Sequence, residues 1–259
     1  MGNALPEPRV GRHSARCATA ATDAAAERGA LRLRLHAGMA ELGLDTAPAE
    51  RLLDYLALLV KWNRVYNLTA IRDPLAMLRQ HLLDSLSIVA PLAARLPARE
   101  GARWRIVDVG SGAGLPGVVL ALAWPQAELL LVEPVDKKAA FLRQCQAELA
   151  LTNLKIAATR VEALGAAGPA GPFDLIVCRA FASLADYANA VEPIAGADTL
   201  VAAMKGTLAP DELAALPPGW SIVETLPLRV PELAAARHLV LMRHLAGAPG
   251  EPSARAASH

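Results

Sequence analysis

One segment constrains this chain more than any other: Ile106-Val107-Asp108-Val109 runs directly into Gly110-Ser111-Gly112-Ala113-Gly114-Leu115-Pro116-Gly117. An apolar run of strand length, a glycine-rich turn and a helical continuation make up the opening strand–turn–helix of an α/β domain. Glycine lets backbone approach a ligand closely, and the free N–H groups of a helix start favour polar or anionic ligand groups. The next apolar run ends in Glu133, about twenty residues after the turn, where a carboxylate accepts hydrogen bonds from ribose hydroxyls. Gly110, Gly112, Gly114 and Glu133 together predict a site for an adenosine-containing ligand at the carboxyl end of a parallel sheet.

The glycine register selects the ligand. Gly112-x-Gly114-x-x-Gly117 has the spacing of a dinucleotide fingerprint, which taken alone is a weak signal. It is also displaced. The strand ends at Val109, so the tight turn begins at Gly110, and counted from there the third glycine position holds Leu115. Read from the strand, the pattern is Asp-x-Gly-x-Gly-x-Gly, which resembles the first motif of S-adenosylmethionine-dependent methyltransferases. A nicotinamide-dependent oxidoreductase is the competing reading, and a glycine turn that serves packing alone is a third.

The rest of the chain fits an α/β architecture. Strand-like runs at Trp104–Val109, Glu128–Glu133, Lys155–Ala158, Phe173–Cys178 and Thr199–Met204 alternate with helical stretches at Leu115–Ala123, Lys137–Leu149 and Ser183–Ile194. Such alternation predicts a parallel sheet with crossover helices. Trp220–Leu226 and Arg237–Arg243 are expected to close it as an antiparallel pair. Before the sheet, Leu52, Leu53, Leu56, Leu59 and Val60 recur at helical spacing. Asp73-Pro74 then supplies an N-cap and a proline at the first helical position. The helix it opens carries Leu75, Leu78, Leu82, Leu86 and Val89 and is expected to stop near Pro91. The predicted organisation is a loose tail over 1–29, a helical region over 30–98, a ligand-binding α/β domain over 99–246 and a second loose tail over 247–259. The first tail bears arginines and few acids, so a transit peptide is its alternative.

Hydrophobic residues form 54% of the 259, enough for a full core. A formal net charge of +1 means that a nucleic-acid partner has to be held by a local basic patch. Cys17, Cys145 and Cys178 lie far apart without C-x-x-C or His-rich spacing, so neither a disulfide framework nor a metal site is indicated. No signal peptide or membrane span is read, and the cytoplasm is the expected location.

Several further stretches narrow the reading. They are Lys61 to Arg72 (KWNRVYNLTAIR), His81-Leu82-Leu83-Asp84-Ser85-Leu86, Arg160-Val161-Glu162, Arg179-Ala180-Phe181-Ala182-Ser183-Leu184, Met204-Lys205-Gly206 and Arg237-His238-Leu239-Val240. With the glycine turn they closely resemble the bacterial small-subunit ribosomal RNA methyltransferase G family, also called glucose-inhibited division protein B, from about Leu42 to Arg243. The resemblance implies a Rossmann-like class I S-adenosylmethionine methyltransferase fold, a seven-stranded and mostly parallel sheet, with an N-terminal helical cap. It implies methylation of guanine N7 in the decoding region of 16S ribosomal RNA. It places cofactor binding at Gly110, Leu115, Val161, Glu162 and Arg179. The expected partner is 16S RNA or the small subunit, met by a monomer without metal or membrane.

Guanine N7 carries an in-plane lone pair and no proton, so its attack on a sulfonium methyl needs no general base. The enzyme has to exclude water, align the three atoms and tolerate the charge developing on the purine. Arg179 is the candidate positioning residue, facing a methionine carboxylate or an RNA phosphate. Phe181 is the candidate stacking platform for the base, with a plain core phenylalanine as its alternative. Arg72, Lys137, Lys138, Arg143 and Lys205 are the candidate RNA contacts. Cys178 as a covalent nucleophile and His81–Asp84–Ser85 as a hydrolase constellation are the rival chemistries.

Overall fold

The computed structural model describes residues 12–98, 103–167, 173–179 and 181–245, with backbone alone at 12–23 and 165–167. The loose tail expected over 247–259 lies outside the described residues, as do residues 1–11 of the first. A helical layer comes first: α1 (Arg12–Glu41), α2 (Ala49–Tyr66), α3 (Pro74–Met77), a π-helical stretch (Leu78–Leu83), α4 (Asp84–Leu86) and α5 (Val89–Ala93). The α/β part follows as β1 (Arg105–Val109), α6 (Gly117–Ala123), β2 (Glu128–Val132), α7 (Asp136–Glu148), β3 (Leu154–Ala157) and α8 (Glu162–Ala167). It continues through β4 (Leu175–Cys178), α9 (Leu184–Val191), β5 (Leu200–Lys205), α10 (Pro210–Ala214), β6 (Trp220–Pro227) and β7 (His238–His244).

The strands form one seven-stranded sheet in the order β3-β2-β1-β4-β5-β7-β6. β1 to β5 are mutually parallel, and β7 runs antiparallel to both β5 and β6. The closing pair read from the sequence is present, with β7 inserted between β5 and β6. Strand order reverses between β1 and β4, and an open α/β sheet binds its ligand outside the carboxyl ends of the strands at such a switch point.

Period-two alternation explains why the strands read as continuous apolar runs, since both faces are covered. Ile106, Leu131, Leu175 and Val177 pack with α2, α6 and α7 on one face. Val107, Val132, Ile176 and Cys178 pack with Leu184, Tyr187 and Val191 of α9 on the other.

Two sequence expectations change. The tail read over 1–29 is helical from Arg12, because an alanine- and arginine-rich segment has high helix propensity even without an apolar stripe. Further along α1, Leu35 and Met39 are buried, and Arg28 and Arg32 pair with Glu50 at the start of α2. The helix opened by Asp73 is capped as expected, its Oδ2 accepting from Ala76 N at 2.7 Å. It then widens into the π-helical stretch within one turn, so it is interrupted long before Pro91. A π segment shifts the side chains beyond it around the axis, and periodicity arguments that assume 3.6 residues per turn miss it.

Candidate active site

The turn after β1 is bolted from several sides. Gly110 N and Ser111 N both donate to Val132 O of β2, at 2.9 and 3.1 Å. Gly110 has φ +69°, and a Cβ built there meets only the edge of the Phe181 ring, at 3.9 Å. Backbone is thus exposed to close approach where β1 ends. Gly114, at φ +87°, is glycine for the opposite reason: a Cβ there would lie 2.5 Å from Val118 Cγ2. Glu133 Oε2 accepts from Gly112 N at 2.7 Å and Oε1 from Val135 N at 2.9 Å. The carboxylate expected to face ribose therefore also anchors the turn, with further lone pairs on each oxygen. Tyr55 of α2 donates its hydroxyl to Ala113 O at 2.6 Å, which ties the helical layer to the turn.

Leu115 is buried beneath this turn and its N–H bonds Ser111 O at 3.1 Å, so it shapes the cradle from below. Asp108 is buried on the same face as Ile106. Its Oδ2 accepts from Gly117 N at 2.9 Å while Oδ1 has no hydrogen-bond partner. Burial pushes its carboxyl up to about 7. An open positive-φ glycine and an acid at the neighbouring strand tip suit a ligand carrying ribose hydroxyls. The residues present fit S-adenosylmethionine. The glycine register is also as read from the strand, with Gly110 heading the turn, and this disfavours the nicotinamide reading.

Across the switch point, Arg179 follows β4. Its Nη1 donates to Gln80 O at 3.1 Å and lies 3.3 Å from His81 Nδ1 and 3.5 Å from Asp84 Oδ2. Phe181 is half-buried, its ring 4.9 Å from that of Tyr187 and beside Gly110. Phe181 thus packs on α9 as a core phenylalanine would, and it also borders the turn. Val161 is buried with Val109 and Val132, and Glu162 opens α8 exposed to solvent.

The basic candidates separate. Arg72 and Lys137 are exposed and Lys138 is half-buried. Arg143 is exposed but stands roughly 140° around α7 from Lys138, at about 100° per residue, so it does not extend their patch. Lys205 is withdrawn from the expected RNA face. Its Nζ pairs with Glu212 at 2.6 Å and reaches the carbonyls of Phe181 and Ala182 at 3.5 and 3.4 Å, which braces the loop after β4.

The rival chemistries lose their geometry. Cys178 is buried in the strand and its thiol is pushed up by that burial, so no thiolate is available at neutral pH. Ser85 is wholly buried with its Oγ unpartnered among the described residues. His81 meets Thr69 Oγ1 through Nε2 at 2.8 Å, and burial, then the Arg179 charge, lowers its pKa to about 4. Among the described residues no group of His, Cys, Asp and Glu could hold a metal ion. Sequence reasoning missed Tyr55, Glu212 and the Asp84–Arg237 contact, since each is a partner distant in the chain.

Comparison with known proteins adds a family. A family model described as GidB, rRNA small subunit methyltransferase G, matches residues 49–240. The chain is 47% identical over 229 residues to the ribosomal RNA small subunit methyltransferase G of Paracidovorax citrulli, covering 85% of this chain and 92% of that protein. It is 48% identical over 218 residues to the protein of the same name from Burkholderia thailandensis, covering 83% and 92%. Among solved structures, MtNAS in complex with MTA and tNA aligns with a TM-score of 0.51 at 14% identity, over 83% of this chain and 85% of that one. At that identity the likeness concerns the fold alone.

Proposed function

The chain belongs to the GidB family of rRNA small subunit methyltransferases G, and on that premise we propose that it methylates N7 of a guanine in the decoding region of 16S ribosomal RNA at the carboxyl edge of its sheet. The fold is the Rossmann-like class I methyltransferase fold, and the cofactor is S-adenosylmethionine. The observation that carries the assignment to this edge is the placement of Gly110 and Arg179 at the strand tips on either side of the switch point.

Bound S-adenosylmethionine supplies an electrophilic methyl group on a sulfonium. The chain supplies position and electrostatics. Gly110 and Gly112 would present backbone to it, Glu133 would offer acceptors to ribose hydroxyls, and the main chain at Val161 and Glu162 would hold the adenine. Arg179 would hold an anionic group of cofactor or RNA. No side chain is needed to remove a proton, because N7 has none. That edge is buried in the deep, narrow major groove of A-form RNA, so the target has to leave its stack or sit in a loop. Phe181, bordering Gly110, is the platform on which such a base would stack. Arg72, Lys137 and Lys138 contact phosphates nearby.

Among the described residues no helix is long and apolar enough to cross a membrane. A cytoplasmic enzyme that meets 16S RNA, free or in the small subunit, is part of the same proposal. The test is mass mapping of ribosomal RNA from cells with and without this protein. One guanine methylation should disappear with the gene; an unchanged pattern overturns the substrate assignment.

A further inference from the structure

Two arginines and one buried acid form a unit at the carboxyl edge, of which the reaction as described uses only Arg179. β7 is antiparallel, so its first residue, His238, pairs with Lys205, the last of β5. Arg237 therefore stands at the same edge as Arg179, with β5 between their strands. Asp84, just beyond the π-helical stretch, spans the gap with a side chain only 5% exposed. Its Oδ1 accepts from Arg237 Nε at 3.0 Å, and Oδ2 lies 3.5 Å from Arg179 Nη1.

The bonds are unevenly distributed. Arg179 uses Nη1 for its contacts, and Arg237 uses Nε and, toward Ala236 O, Nη1 at 2.9 Å. Nε and Nη2 of Arg179 and Nη2 of Arg237 have no hydrogen-bond partner among the described residues. The three charges sum to +1. Burying such a unit is poor economy for stability, because desolvation opposes the Coulombic gain. Its physical product is geometry: two forks from strands not adjacent to each other, fixed by one carboxylate, with donors left over.

We infer that Asp84 is a positioning residue that holds Arg179 and Arg237 as a preformed cradle for an oxyanion, either the cofactor carboxylate or an RNA phosphodiester. The inference rests on the methyl-transfer reading. Its logic separates position from charge. Asp84→Asn keeps size and raises the local charge by one, so attraction for an anion is not reduced, while the guanidinium groups lose their common anchor. Misplacement of a fixed group by about an ångström costs on the order of 100-fold in rate.

The experiment uses the full chain, S-adenosylmethionine in calorimetry, and undermethylated small subunits as methyl acceptor. Wild-type protein has to bind the cofactor and methylate the subunits, and its failure to do either would sink the underlying reaction and leave the cradle without a role. With wild type active, Asp84→Asn is expected to lower kcat by roughly 10- to 100-fold with KM for subunits within about threefold. A matching rise in the cofactor Kd identifies the oxyanion as its carboxylate; an unchanged Kd identifies an RNA phosphate. In a background carrying both Arg179→Ala and Arg237→Ala the same substitution should add less than about threefold, since the groups it positions are gone. Unchanged kcat, or an undiminished effect in that background, overturns the inference. Should Asp84→Asn fail to fold, Arg237→Lys, which keeps the charge and loses the Nε contact, is expected to change kcat in the same direction, and wild-type kcat there overturns the idea.

Discussion

At the scale of single residues, Arg179 and Asp108 make the sharpest expectations. Arg179→Ala should reduce kcat/KM for ribosomal RNA by about 100-fold or more, as loss of a charge-assisted contact held in place does. Cofactor and RNA binding measured separately would show which anion it serves, and full activity would remove Arg179 from the site. Asp108 predicts a pH effect through its buried carboxyl, which ionises near 7 instead of 3.8. A raised carboxyl favours the folded state at low pH, and that contribution is lost as pH climbs from about 4 through about 7. Asp108→Asn should therefore flatten the fall in thermal stability over that window, a difference of up to about 4 kcal/mol by the linkage relation. Melts across pH 4 to 8 that keep the same slope in the variant would contradict the burial argument.

At the scale of elements, the helical layer works as part of the site. Leu35 of α1 is fully buried, so Leu35→Ala should destabilise the protein by roughly 2–5 kcal/mol in denaturant unfolding. The exposed ion pairs of Arg28 and Arg32 with Glu50 of α2 should add little, because water and salt screen them. The π-helical stretch carries its own signature. His81 in it is held neutral, ionising near 4 against 6.5 unfolded. A lowered histidine contributes stability above its unfolded value that is lost as pH falls through the folded one. His81→Gln should thus soften acid unfolding between about pH 6.5 and 4, by up to about 3 kcal/mol. Identical acid limbs would show that His81 is open to water in the folded protein. The strands and most helices were legible because period two and period 3.6 leave distinct apolar patterns. α1 and the π turn were not. One forms through propensity without a stripe, and the other breaks the period on which such reading depends.

At the scale of the whole molecule, a net charge of +1 leaves RNA affinity to a few local cations. With three to five phosphates neutralised, log K against log salt should fall with a slope of about −2 to −4. A slope near −10 would demand a far larger basic surface. The glycine turn and Glu133 were legible because strand tips are read locally, each from a few neighbouring residues, whereas Arg179 entered through the family resemblance. Family resemblance supplied guanine N7 as the target; physical reasoning from the residues reached only the cofactor class. The reassignment of Lys205 from RNA to Glu212, and of Arg143 away from the patch, depended on contacts and rotations that linear spacing does not carry.

Apolar periodicity and the glycine register are short-range properties, and by themselves they determined an α/β chain with an adenosine site at the end of its first strand. Which side chains meet around that site was decided by strand order. Inserting β7 antiparallel beside β5 brings Arg237 to the edge where Arg179 already stands, and docking the helical layer places Tyr55 on the turn and Asp84 between the arginines. Those contacts join residues from distant parts of the chain, and their geometry exists only once the sheet has closed.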